Sequence, residues 1–197
     1  LELLRAYGME HVHVQRFSRA FAGLSPEDFV RRILVDALRV RWLLVGDDFR
    51  FGARRAGDTA MIERAAREHG FEVAAMPSVN LGDVRVSSSA VRDALVRGDL
   101  ASAQSLLGRP YSISGRVVHG DTLGRELGFA TANVQMKHNR PPLAGIFAVR
   151  VHGAAERARH GVASLGVRPT VKVDGRATLE VHLFEYSGNL YRRHLRV

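Results

Sequence analysis

The chain has 197 residues, a formal net charge of +9 and no cysteine, which allows one large or two small domains and excludes disulfides, cysteine-ligated zinc and iron–sulfur clusters. No apolar run approaches the roughly 20 residues of a membrane span and the start carries no signal-peptide pattern, so a cytoplasmic protein without a membrane partner is expected. Positive charge suits nucleic acid or a small polyphosphate; the scattered arginines and sparse aromatics point to the polyphosphate, with no nucleic-acid partner expected.

In chain order, Leu1 to Tyr7 predicts a short helix stopped by Gly8. His11-Val12-His13-Val14 alternates and predicts a strand, its two histidines lacking further ligands nearby. Ser25-Pro26-Glu27-Asp28 then opens a helix: Ser25 suits the N-cap, Pro26 the first turn, and the acids the positive end of the dipole. Phe29, Ile33, Leu34 and Leu38 follow at helical spacing as a buried face.

Trp42-Leu43-Leu44-Val45 is a continuous apolar run, expected of a strand covered on both faces. It ends in the loop Gly46 to Gly52. In an open α/β sheet, ligands sit beyond the carboxyl ends of the strands. There Asp48 can accept hydrogen bonds from a ligand ring, and Phe49 or Phe51 can stack on it, or the loop is an ordinary turn with two anchoring aromatics. A helix over Thr59 to His69, closed by Gly70, and a strand over Phe71 to Met76 complete an alternation that implies a parallel sheet.

Val84-Arg85-Val86 leads into Ser87-Ser88-Ser89-Ala90-Val91-Arg92. Serines at a helix start with an arginine in the first turn make an anion site, although any serine can also simply cap a helix. That helix is expected to end at Gly98. Asp99 caps a successor that closes at Gly108, and Arg109-Pro110 marks a domain boundary. Beyond it the pattern changes to alternating strands over Tyr111 to Val118, Gly145 to Val151, Gly161 to Gly166 and Thr178 to Phe184. Such a series suggests a small closed antiparallel barrel.

The densest stretch lies within this region, Gly115 to Asn133. Its glycines at 115, 120, 124 and 128 allow close backbone approach to a ligand. Arg116, His119 and Arg125 supply donors suited to phosphate oxygens. Their spacing matches neither common phosphate-loop fingerprint. If residues 130–134 run extended, Thr131 and Asn133 present hard oxygens on one side, as a Mg²⁺ ion bridging phosphates would require. On the last strong strand Leu179, Val181 and Leu183 share one face, Glu180 and His182 the other. Should that second face lie near Thr131 and Asn133, Glu180 can serve as a general base; otherwise it is a solvent-facing carboxylate.

The ordered series resembles the bacterial bifunctional riboflavin kinase/FMN adenylyltransferase, or FAD synthetase, family. It comprises the loop 46–52, Ser88-Ser89-x-x-Arg92, Leu107-Gly108-Arg109-Pro110-Tyr111, Gly120-Asp121-x-x-Gly124-Arg125, Thr131-Ala132-Asn133, Arg168-Pro169-Thr170 and Leu179-Glu180-Val181-His182. The resemblance implies an α/β, nucleotidyltransferase-type (Rossmann-like) domain over 1–108, followed by a six-stranded antiparallel kinase barrel over 109–197. It implies ATP-dependent phosphorylation of riboflavin to FMN in the barrel, then adenylylation of FMN to FAD in the first domain. Thr131 and Asn133 would hold Mg²⁺, Glu180 would be the catalytic base, and Gly115, Arg116, His119, Gly120, Arg125 and Gly128 would lie near ATP. In the first domain Ser88, Ser89 and Arg92 would hold ATP phosphates, and Asp48 with Phe49 the flavin side.

Three departures accompany the resemblance. The family's His-x-Gly-His signature is absent, as His11-Val12-His13 lacks the glycine. Ala130 replaces a usual proline, and Arg192 stands where glycine is common. A terminal helix after the barrel is also expected in the family, so both domains are expected to be incomplete here, the first at its start and the second at its end. Two alternatives stay open: a chain running only the kinase reaction, and a flavin- or nucleotide-binding protein without turnover.

Overall fold

A computed structural model describes residues 2–119, 131–136, 141–167 and 177–197. Packing divides the chain into two compact units, Leu1–Ser78 and Val79–Val197.

In the first unit, α1 (Glu2–Ala6) ends in a turn where Gly8 takes φ 82°, as its sequence suggests. The expected strand at His11–Val14 does not form. Residues 11–14 are exposed and carry no strand pairing, because alternation supplies a pattern but not a partner edge. After α2 (Arg19–Ala22), α3 (Pro26–Asp28) opens as predicted: the Ser25 hydroxyl accepts from the Asp28 N–H at 3.0 Å. The turn continues as a π-helix over Phe29–Ala37, in which the Leu38 N–H donates to the Ile33 carbonyl at 2.9 Å. This wider winding shifts the phase of the apolar stripe. Val30 and Leu34 are buried, while Leu38, expected on the same face, is 47% exposed.

Strands β1 (Trp42–Gly46) and β2 (Glu72–Met76) pair in parallel, with α4 (Thr59–His69) as the crossover between them. Asp58 caps α4 by accepting from the Met61 N–H at 2.9 Å, and Gly70 closes it in the left-handed conformation. Val30, Leu34, Val45, Phe51, Ile62 and Ala66 form the core. The helices of this core cover one face of the two strands. Trp42, 56% exposed, and Leu44, 48% exposed, leave the other face open, so the expected two-sided burial of β1 is not found among the described residues.

The second unit begins with the hairpin β3 (Asn80–Leu81) and β4 (Val84–Arg85). Helices α5 (Ser88–Val96) and α6 (Leu100–Leu107) follow, with Gly98 and Gly108 at positive φ behind each. Asp99 caps α6, and its hydrogen bonds to Ser102 hold its carboxyl below the usual range. Six strands complete the unit: β5 (Ser114–Val118), β6 (Thr131–Gln135), β7 (Gly145–Val151), β8 (Arg159–Val167), β9 (Ala177–Leu183) and β10 (His194–Arg196). They form one antiparallel sheet in the order β10-β5-β6-β9-β8-β7. The sheet curls until its edges meet, His152 and Arg196 exchanging backbone hydrogen bonds of 2.8 and 3.1 Å across the seam. Val117, Val134, Ala163, Leu179, Val181 and Leu195 fill the interior. Ala94, Leu95 and Ala103 of the two helices belong to the same apolar cluster. The boundary expected at Arg109 rests on the change of secondary-structure type, whereas packing groups α5 and α6 with the strands.

Candidate functional site

The alternation of β6 and β9 sends Ala132, Val134, Leu179, Val181 and Leu183 into the core. The intervening residues therefore emerge on the outer face of the sheet. Thr131, Asn133, Glu180 and His182 are all half-buried there. Register decides what they can do together. Asn133 is the direct partner of Glu180, and Thr131 is the direct partner of His182. Directly opposite residues of an antiparallel pair have Cβ atoms about 5 Å apart. The two oxygen donors singled out at 131 and 133 thus share a face with the Glu180 carboxylate.

The row extends in both directions. Val118 of β5 is the partner of Asn133, and Ser164 of β8 is the partner of Glu180. Ile146 of β7, 76% exposed, pairs with Ser164 and closes the row with an apolar side chain. A hydroxyl, an amide, a carboxylate and an adjoining apolar surface suit a ligand with a polar reacting end and an apolar body. No group of three or more His, Cys, Asp or Glu able to hold a metal occurs among the described residues. A cation here would rest on the Thr131 and Asn133 oxygens and draw its other ligands from water or phosphate, a set that fits Mg²⁺.

In the middle of β5, Arg116 is exposed and pairs with Gln135 and His194. Gly115 has a different basis from the one its motif suggested. It is a buried strand residue, and a Cβ there would collide with the Gln135 carbonyl, so close strand approach requires glycine whether or not a ligand lies near. His119 follows β5 directly and stacks on Tyr191, with ring centroids 4.0 Å apart and planes 22° from parallel. The turn carrying Tyr191 puts Arg192 at φ 66°, in the left-handed region. An L-residue there costs about 1–2 kcal/mol, partly offset by the smaller chain entropy it loses on folding relative to glycine. Arg192→Gly is expected to stabilise the protein by up to about 1 kcal/mol, read as a higher urea midpoint at unchanged slope.

The remaining candidates are distributed as follows. Gly120, Arg125 and Gly128, with Asp121, Gly124, Ala130 and Arg168-Pro169-Thr170, lie outside the described residues. Asp48 is exposed in the turn after β1. Phe49 is half-buried and stacks on Phe51 at 5.6 Å; Phe51 is itself buried against Phe29, which removes it as a ligand-stacking ring. Ser88 and Ser89 are exposed on the first turn of α5, where Ser87 is the cap, accepting from the Ala90 N–H at 3.1 Å. Arg92 is exposed one turn further on. Asp48 and Phe49 belong to the first unit, and the Ser88, Ser89 and Arg92 set to the second. Two neighbours of the site escaped motif reasoning. Ser164 was legible as an outward position of its strand, whereas nothing in the local sequence pairs Tyr191 with His119.

Residues 107–197 match the family model for riboflavin kinase, and residues 1–90 that for FAD synthetase. The chain is 48% identical over 197 residues to the bifunctional riboflavin kinase/FMN adenylyltransferase of Escherichia coli strain K12, covering all of this chain and 63% of that protein. The Pseudomonas fluorescens protein of the same description is 48% identical over 190 residues, covering 96% and 61%. That of Haemophilus influenzae is 43% identical over 180 residues, covering 91% and 58%. The chain thus spans less than two thirds of the length of these curated relatives. A crystal structure described as a macrolide-efflux protein from Streptococcus pneumoniae superposes with a TM-score of 0.75 at 27% identity, covering 99% of this chain and 62% of that one. Among the described residues of the present chain, no helix is long and apolar enough to cross a membrane.

Proposed function

We propose, from the riboflavin kinase match over residues 107–197 and the FAD synthetase match over residues 1–90, that this chain is of the bifunctional riboflavin kinase/FMN adenylyltransferase family and that residues 109–197 phosphorylate riboflavin to FMN with ATP. The observation that carries this reading is the register of Asn133 against Glu180, with Thr131 on the same half-buried face. Phosphoryl transfer asks of a protein chiefly positioning, charge neutralisation and one group to deprotonate the attacking alcohol. Glu180 takes the proton of the ribityl 5′-hydroxyl as its oxygen bonds to the γ-phosphorus of ATP. The bond from that phosphorus to the β,γ-bridging oxygen breaks, and ADP leaves with the electron pair. Thr131 and Asn133 would hold Mg²⁺, which would supply neutralisation of the phosphate charge. Arg116 and His119, with Gly120, Arg125 and Gly128, serve the nucleotide phosphates.

For residues 1–108 we propose the family's second reaction, transfer of AMP from ATP to FMN with release of pyrophosphate. The match of residues 1–90 to FAD synthetase favours it. Ser88, Ser89 and Arg92 would serve the ATP phosphates, and Asp48 and Phe49 the flavin. The family's His-x-Gly-His element, expected to stabilise the transferring phosphate, is not in this sequence. Incubating the purified chain with riboflavin, ATP and Mg²⁺, then separating flavins by chromatography, is expected to show FMN as the kinase product, with any FAD reporting the second reaction. FAD as well would mean that adenylyl transfer proceeds without that element. A folded sample making no FMN would remove the kinase reading and favour a flavin- or nucleotide-binding protein without turnover.

A further inference from the structure

Resting on the kinase reading above, we propose that Tyr191 is a positioning residue that holds the His119 imidazole in place for the nucleotide phosphates. The turn bearing Tyr191 is tied down on every side. The Arg192 N–H donates to the Val117 carbonyl, and the Val117 N–H donates to the Arg193 carbonyl, both at 2.9 Å. The Tyr191 N–H is held by the Asn189 side chain at 2.9 Å, and the Arg193 N–H by the Leu190 carbonyl at 3.1 Å. Below the turn, the Arg193 guanidinium and the Tyr186 hydroxyl converge on one acceptor, the Ala154 carbonyl, at 2.8 and 3.1 Å.

A non-glycine residue stays at positive φ only where its surroundings over-determine it, and Arg192 is such a residue. The result is a stiff support carrying one aromatic ring. Tyr191 is 42% exposed, so the core does not account for its size. Its ring face lies on His119 at 4.0 Å. His119 in turn is one residue beyond Val118, whose strand partner is Asn133 and whose row contains Glu180. The support, the stacked pair and the reacting row are therefore joined through Val117, Val118 and His119. Restricting the imidazole to one orientation before the nucleotide arrives lowers the ordering cost of binding. The contact is made by the ring, so phenylalanine should serve in its place.

A double-mutant cycle on the whole chain tests this, with Mg-ADP titrated by calorimetry and steady-state constants measured beside it. Tyr191→Ala is expected to weaken Mg-ADP binding and raise KM for ATP about tenfold, leaving KM for riboflavin and kcat in place. Tyr191→Phe is expected to restore both. In a His119→Ala background, Tyr191→Ala should add no further loss, since its effect passes through the imidazole. Additive losses, an equal rise in KM for riboflavin, or no restoration by Tyr191→Phe would overturn the proposal. If circular dichroism shows Tyr191→Ala unfolded, Tyr191→Leu, which keeps an apolar side chain but no ring face, takes its place in the same cycle with the same supporting and overturning outcomes. Wild-type protein that binds Mg-ADP but makes no FMN would sink the kinase reading alone, since the binding cycle still decides the role of Tyr191.

Discussion

Glu180→Gln is expected to lower kcat for FMN formation by about two orders of magnitude or more while leaving KM for riboflavin and ATP near wild type. The amide keeps the size of the side chain and one acceptor oxygen, but it cannot take the proton of the attacking hydroxyl. General-base removal typically costs 10²–10⁴ in rate, about 3–5 kcal/mol of transition-state stabilisation. Glu180 lies between two polar partners, Asn133 on β6 and Ser164 on β9's other neighbour β8, in a row of strands bonded on both sides. The substitution therefore changes chemistry with little room to change position. Steady-state kinetics separate the two readings of this carboxylate. A protein that only binds flavin and nucleotide has no turnover to lose and keeps its affinity for both. A kcat within a few-fold of wild type would show that another group accepts the proton.

Leu195→Ala is expected to cost about 2–5 kcal/mol, the range for removing a fully buried leucine side chain. Leu195 is 0% exposed and sits at the centre of the three-residue strand β10. That strand pairs with β5 at Gly115 and bridges to His152, so it is the element that joins the two edges of the sheet. Gly115 has no side chain to move into the vacated space, and the strands are pinned by their ladder, so the cavity collapses poorly. Thermal unfolding followed by circular dichroism should show a fall of about 10 °C, with Arg196→Ala, exposed on the same strand, as a near-silent control. A fall smaller than about 3 °C would mean that the seam repacks and that β10 does not close a rigid core.

The two sites differ in how far they were readable before folding. Thr131, Asn133 and Glu180 were identifiable by residue type and by their two-residue spacing within single strands. That Asn133 stands opposite Glu180, rather than one step along, depends on the β6–β9 register. A slip of one residue would have put the carboxylate and the amide on opposite faces. The serines of α5 were identifiable as a helix start, yet the capping hydroxyl is that of Ser87, not those of Ser88 and Ser89. Phe51 illustrates the converse. Its place in a candidate ligand loop was legible, but only packing against Phe29 and Phe49 showed it to be core.

What the amino-acid order determined by itself is local. Ser25 and Asp99 cap helices, Gly70 and Gly108 end them, and the alternation of Leu179, Val181 and Leu183 separates core from surface, because each is settled by backbone bonding or side-chain direction within a few residues. What only the tertiary structure decided is which surfaces meet. His11–Val14 found no strand to pair with, and Leu44 no layer to cover it, among the described residues. Helices α5 and α6 joined the strands that follow them. Tyr191 came to rest on His119 through a turn whose left-handed residue no propensity would select. Burial and register are properties of pairs of segments distant in the chain, so a single segment carries the capacity for either outcome and the packing chooses between them.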